Sequence, residues 1–142
     1  MILQIMRDIA QGIRYLHSSK PPICHGDMKA RNILIDSRFR AKVADFGLSE
    51  KKKNGLTGTP YFMAPEYLRG RSYSPACDIY SVGIILWEIY ARKDPYEGEA
   101  MMKVLCQVCD PSINRRPDVP ETMPQKMADI MKKCWSPDPF YR

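Results

Sequence analysis

Two carboxylates, an ammonium and an amide stand out because of the company they keep. The string H-G-D-M-K-A-R-N, His25 to Asn32, groups Asp27, Lys29 and Asn32. D-F-G, Asp45 to Gly47, adds a second carboxylate, and G-T-P-Y-F-M-A-P-E, Gly58 to Glu66, follows soon after. Carboxylate and amide oxygens are ligands for hard divalent cations. An ammonium neutralises an anionic group, and a carboxylate facing a hydroxyl can take its proton. Either aspartate alone would be read as a turn or cap residue. Three strings in a fixed order say more than that.

The surrounding elements must hold these groups in place. Ile2, Met6, Ile9, Ile13 and Leu16 recur at helical spacing, which predicts an amphipathic helix ending near Ser18–Pro21. Asn32–Asp36 and Ala41–Ala44 are short apolar runs separated by the polar S-R-F-R, as in a small pair of strands. The first string therefore sits between a helix and a strand, and D-F-G directly follows the second strand. The glycine-, lysine- and threonine-rich stretch from Phe46 to Pro60 reads as a loop. Ser74-Pro75 marks a helix start, with Ser as N-cap, Pro at the first helical position and Asp78 in the first turn. That helix is apolar on nearly every side as far as Tyr90, so it should lie at the centre of the fold. Met101, Val104, Leu105 and Val108 mark another helix; Met127, Ile130, Met131 and Cys134 mark one more, after a proline-rich stretch. The expected fold class is mainly α with a token sheet.

In that order and setting, the three strings resemble the C-terminal lobe of eukaryotic protein kinases over essentially all 142 residues. The resemblance implies a kinase-like helical lobe, with a small two-stranded β element at the catalytic loop. It implies that residues 1–142 are only part of a kinase domain, and that the partner N-lobe would precede Met1. Asp27 matches the catalytic aspartate that orients the substrate hydroxyl and accepts its proton. Lys29 matches the lysine that contacts the γ-phosphate of ATP. Asn32 and Asp45 match the two Mg²⁺ ligands, and Leu34 falls where the family places an apolar side chain beneath the adenine. Glu66 resembles the carboxylate that pairs with a late arginine, and C-W-S-P-D-P-F-Y-R puts Arg142 at that arginine's place. Asp78 matches the helix carboxylate that accepts hydrogen bonds from the catalytic-loop backbone, while a first-turn aspartate favoured by the helix dipole remains compatible. His25 and Thr59 are structural support within the matching strings. Implied cofactors are ATP and Mg²⁺, and the implied partners are protein substrates.

Lys29 and G-T-P-Y-F-M-A-P-E look like serine/threonine kinases, whereas A-R-N, D-I-Y-S-V-G-I-I-L-W-E and the C-W-S-P-D-P-F-Y-R ending have a tyrosine-kinase flavour. The mixture is similar to the tyrosine-kinase-like group of serine/threonine kinases. Two departures stand beside it. Gly26 replaces the arginine that usually precedes the catalytic aspartate and anchors a loop phosphate. No Gly-rich phosphate loop, V-A-I-K-type lysine or partner-helix glutamate occurs in the sequence. The competing expectations are a fragment of an active kinase, a catalytically inactive kinase-homology scaffold, and an unrelated helical binding domain. Intact Asp27, Lys29, Asn32 and Asp45 favour the first.

Composition narrows the remaining classes. The chain is 44% hydrophobic and 27% charged, a globular balance rather than a disordered one. Its longest uncharged apolar run, Ile79 to Trp87, falls far short of the roughly 20 residues needed to span a bilayer. Arg7 and Asp8 interrupt the apolar start, unlike a signal peptide. The formal charge of +6 is dispersed, with its densest parts at Arg38, Arg40 and Lys42 and at Lys51–Lys53. Nucleic-acid binding would need a wider basic face with stacking aromatics. Five scattered cysteines lack framework spacing and suggest a reducing, cytoplasmic setting. Cys106-x-x-Cys109 lies on a helical pattern with no second close pair, a poor match to a zinc site. A membrane anchor elsewhere in a parent protein would be compatible with all of this.

Overall fold

The computed structural model describes residues 1–45 and 60–142. The expected loop from Phe46 up to Pro60 lies outside the described residues, and with it Ser49, Lys51–Lys53, Thr57 and Thr59. Helix α1 spans Ile2–His17 and leads through an irregular stretch to a 3-10 turn, Ala30–Asn32. Strands β1 (Ile33–Ile35) and β2 (Ala41–Val43) pair antiparallel, with Ile33 opposite Val43 and Ile35 opposite Ala41. After a 3-10 turn at Pro60–Phe62 come α2 (Pro65–Leu68), α3 (Pro75–Ala91), α4 (Met101–Cys109) and α5 (Gln125–Cys134). The architecture is mainly helical with one two-stranded sheet, as expected.

The apolar spacing of α1 explains its placement. Ile9, Ile13 and Leu16 are buried on one stripe, packed with Met28, Ala41, Val82 and Ile85. Met28 lies between Asp27 and Lys29, so this core grips the site loop from below. Helix α3 runs through the middle and buries Tyr80, Ile84, Leu86 and Trp87 against Met131 and Trp135 on its other side. Ser74 does occupy the α3 N-cap, but its hydroxyl makes no capping bond. That hydroxyl turns instead toward the Cys77 thiol at 3.8 Å, and the Ser74 carbonyl accepts the Cys77 N–H at 2.9 Å.

A buried carboxylate ties the sheet to α1. Asp8 accepts Arg40 Nε at 2.8 Å and Nη2 at 2.9 Å, the Ala41 N–H at 3.0 Å and Gln4 Nε2 at 2.8 Å. The Arg40 and Ala41 bonds outweigh the opposing effect of burial and hold the Asp8 carboxyl well below the usual carboxylate range. Asp36 closes the β1–β2 turn by accepting the N–H groups of Arg38 and Arg40 at 2.8 and 3.0 Å.

Gly83 sits where α3 meets α5. A Cβ there would lie 3.0 Å from Cys134 Cβ, and 3.4 Å from both the Met131 carbonyl and Trp135 Cβ. Those atoms move only if α5 moves. Gly83→Ala would gain about 1 kcal/mol of helix propensity against about 1–3 kcal/mol of overpacking. The expected net is a loss of about 1 kcal/mol in urea unfolding; a raised midpoint would contradict this close approach.

Candidate active site

Asp78 organises the loop that carries the first string. Its side chain is fully buried in the first turn of α3. Oδ2 accepts the His25 N–H at 2.8 Å, and Oδ1 accepts the Gly26 N–H at 3.1 Å. His17, at the end of α1, reaches Oδ2 through Nε2 at 2.8 Å, and the Tyr73 hydroxyl donates to Oδ1. Burial pushes the Asp78 carboxyl up, yet these bonds from His17, Tyr73, Gly26 and His25 prevail and leave it below its ordinary value. The carboxylate is thus ionised at neutral pH, and its hold on the loop weakens only as pH falls through that lowered value.

His25 completes the scaffold. Its Nδ1 accepts the Asp27 N–H at 3.0 Å, so Nε2 carries the proton donated to the Ala44 carbonyl at 2.6 Å. The Ala44 N–H in turn donates to the Asn32 carbonyl at 2.9 Å, extending the strand ladder by one step. Through these bonds the ends of the two strands bring Asn32 and Asp45 to the same edge. Asp45 is exposed and adopts a left-handed conformation with φ +59°, turning the chain as it leaves β2.

The polar quartet is compact where it is hydrogen-bonded. Asn32, buried, donates through Nδ2 to the Asp27 carbonyl at 2.8 Å and lies 3.5 Å from Asp27 Oδ2. Lys29 Nζ stands 3.6 Å from the same Oδ2. With its amide nitrogen directed to Asp27, Asn32 could offer Oδ1 as a neutral oxygen ligand, and Asp45 could offer a carboxylate. One amide and one carboxylate suit Mg²⁺, which commonly takes few protein ligands beside phosphate and water. No cluster of three or more His, Cys, Asp or Glu able to hold a metal occurs among the described residues. Leu34 is 57% exposed on β1, beside exposed Ile35 and Phe39. The neighbouring thiol of Cys24 is pushed up to about 11 by burial and by the Asp78 charge, so it is no nucleophile at neutral pH.

Glu66 and Arg142 meet away from this edge. Arg142 Nη1 and Nη2 bond Glu66 Oε1 and Oε2 at 2.6 and 3.0 Å, a bidentate pair whose arginine side chain is fully buried. Arg142 also donates to the Ser136 and Ala76 carbonyls and stacks over Tyr80 at 5.1 Å. Of the candidate site residues expected from sequence, Thr59 lies outside the described residues. His17, Tyr73, Met28 and the Asp8–Arg40 pair were not singled out. Their partners lie up to 61 residues away, as for His17 and Asp78, and no local pattern marks them.

Residues 1–142 match the protein kinase domain family from end to end. The chain belongs to that family. It is 36% identical over 150 residues to the dual specificity protein kinase shkA of Dictyostelium discoideum, covering 99% of this chain and 28% of that protein. It is 41% identical over 146 residues to the probable serine/threonine-protein kinase drkB of the same organism, covering 100% of this chain and 21% of that protein. A putative serine/threonine-protein kinase/receptor of Acanthamoeba polyphaga mimivirus is 40% identical over 137 residues, covering 94% of this chain and 8% of that protein. The chain thus spans under a third of the length of each of these kinase relatives.

One carboxylate of this kinase-domain chain lacks the compensation given to Asp78. Glu88, near the end of α3, has Oε2 buried without a hydrogen-bond partner among the described residues. Burial and the neighbouring Asp94 charge push its carboxyl up to about 7. A raised folded-state value means that its contribution to stability is complete below the ordinary value of 4.5 and is lost as pH rises through about 7. Discounted for partial exposure, Glu88→Gln should add about 1 kcal/mol at pH 8 and almost nothing at pH 4.5. Urea unfolding at the two pH values checks this, and an equal effect at both would contradict it.

Proposed function

We propose that this chain is the C-lobe portion of a protein kinase, whose complete polypeptide transfers the γ-phosphate of ATP to Ser or Thr hydroxyls of protein substrates. The observation that carries the reading is the joining of Asp27, Lys29 and Asn32 in one hydrogen-bonded loop, with Asp45 tethered to it through Ala44. Asp27 aligns the substrate hydroxyl and takes its proton as the oxygen attacks phosphorus, while the bond to the ADP leaving oxygen breaks. Lys29, beside Asp27, holds the γ-phosphate and offsets its charge. Asn32 and Asp45 would hold Mg²⁺, which neutralises phosphate oxygens when bound. Lys29 supports Ser/Thr specificity, and the mixed signature supports the tyrosine-kinase-like group. The intact quartet weighs against an inactive scaffold.

The exposed Leu34, Ile35 and Phe39 on the β1–β2 element support a missing N-lobe, with Leu34 as the adenine floor. Five free cysteines support an intracellular site of action. No helix among the described residues is long and apolar enough to cross a membrane. With a floor and no roof, this chain alone should bind Mg-ATP only weakly, at about millimolar or worse (about −4 kcal/mol). Titration calorimetry measures this directly. Micromolar affinity for the 142-residue chain would overturn the two-lobe reading.

A further inference from the structure

Each oxygen of Asp78 holds one loop amide and one side-chain donor. Oδ2 pairs the His25 N–H with His17 of α1. Oδ1 pairs the Gly26 N–H at 3.1 Å with the Tyr73 hydroxyl at 2.5 Å. Tyr73 belongs to the stretch between α2 and α3, and its ring meets Tyr67 of α2 edge-on at 5.2 Å and 82°. Gly26 has φ +83°, a conformation natural to glycine but only one of several open to it. Its backbone therefore does not direct its own N–H as firmly as a larger residue would. Asp78 Oδ1 holds that N–H, and a terminal carboxylate torsion is broad unless both oxygens are tied down.

We propose that Tyr73 is a positioning residue for phosphotransfer: its hydroxyl pins Asp78 Oδ1, which fixes the Gly26 N–H and so the bearing of Asp27, the next residue. This rests on the kinase reading of Asp27 given above. Tyr73 touches no reacting group; it couples the α2 segment to the catalytic loop through one carboxylate. Burial pushes its hydroxyl far above the ordinary tyrosine value, so it remains a donor throughout the working pH range.

Tyr73→Phe keeps the ring and its Tyr67 contact while deleting the hydroxyl. In the 142-residue chain, amide exchange read by NMR should quicken about fivefold at Gly26 and less than about twofold at His25, whose acceptor is the other oxygen. In the complete kinase polypeptide, kcat should fall about tenfold while KM for ATP and peptide stays within about twofold. Val104→Ala, on the buried face of α4, serves as a control for lost stability alone. Unchanged Gly26 exchange in Tyr73→Phe overturns the proposal, and so does a kcat loss matched by Val104→Ala. A complete polypeptide that transfers no phosphate would instead remove the kinase reading, while the exchange at Gly26 would still decide whether Tyr73 governs the loop.

Discussion

Asp27→Asn in the complete kinase polypeptide cuts kcat by about 10²–10⁴-fold, the range that general-base groups contribute. The substitution preserves the shape and the backbone N–H donated to His25 Nδ1 at 3.0 Å, so the loop should stay in place. What it removes is the carboxylate that lies 3.6 Å from Lys29 and, on the proposed reading, would face the substrate hydroxyl. Asp45→Ala acts on the other half of the site by taking away the charged oxygen at the end of β2. Phosphoryl transfer depends almost wholly on positioning and charge stabilisation, so this loss is expected to be as severe as that of Asp27. Asp27→Asn should keep the wild-type stability within about 0.5 kcal/mol, and Asp45→Ala should lose no more than about 1 kcal/mol for an alanine at that left-handed φ, since neither carboxylate is buried in the core. Steady-state kinetics with a peptide substrate provides the check. Undiminished turnover in Asp45→Ala would remove that residue from the site.

The largest effect on stability should come from the Glu66–Arg142 pair. Arg142→Ala leaves the Glu66 carboxylate buried, with the Cys77 thiol at 3.4 Å as its remaining side-chain donor among the described residues. Breaking one side of such a pair costs about 3–5 kcal/mol, because the surviving charge is stranded away from water. Arg142→Lys should recover only part of this, since an ammonium cannot make two parallel bonds while also reaching the Ser136 and Ala76 carbonyls. Glu66→Ala combined with Arg142→Ala should cost less than the two singles summed. Urea unfolding of the four variants measures this coupling. Strict additivity would show that the two groups do not act as a pair. The direction with pH follows from Glu66, whose carboxyl burial pushes up and Arg142 pulls down further, to a net lowered value. Its contribution is therefore present above the ordinary carboxylate range and lost as pH falls through the lowered one.

Periodicity made α1 and α3 legible, because one buried stripe and one all-round apolar helix leave opposite signatures in sequence. Their observed ends, His17 and Ala91, lie within a residue or so of the expected ones. The strands were legible from two apolar runs around a polar turn. The Ser74 cap was only half legible: type and position pointed to it, but the hydroxyl found the Cys77 thiol instead. In the site, Asp27, Lys29 and Asn32 were readable because they are close in sequence, and Glu66 and Arg142 because family strings mark both. The supports were not readable. Asp8 meets Arg40 across 32 residues, and Tyr73 reaches a carboxylate whose role shows only once the chain is folded. Met28, lying between two site residues, carries no sequence signal of its own and anchors the loop in the core.

The most direct test of the central claim is to incubate the complete kinase polypeptide with Mg²⁺, γ-labelled ATP and a mixed protein substrate, and then to identify the labelled amino acids. Phosphoserine and phosphothreonine, absent when Asp27→Asn replaces the wild type, are the predicted products. Label confined to phosphotyrosine would contradict the Ser/Thr assignment resting on Lys29, and label undiminished in Asp27→Asn would contradict the site itself.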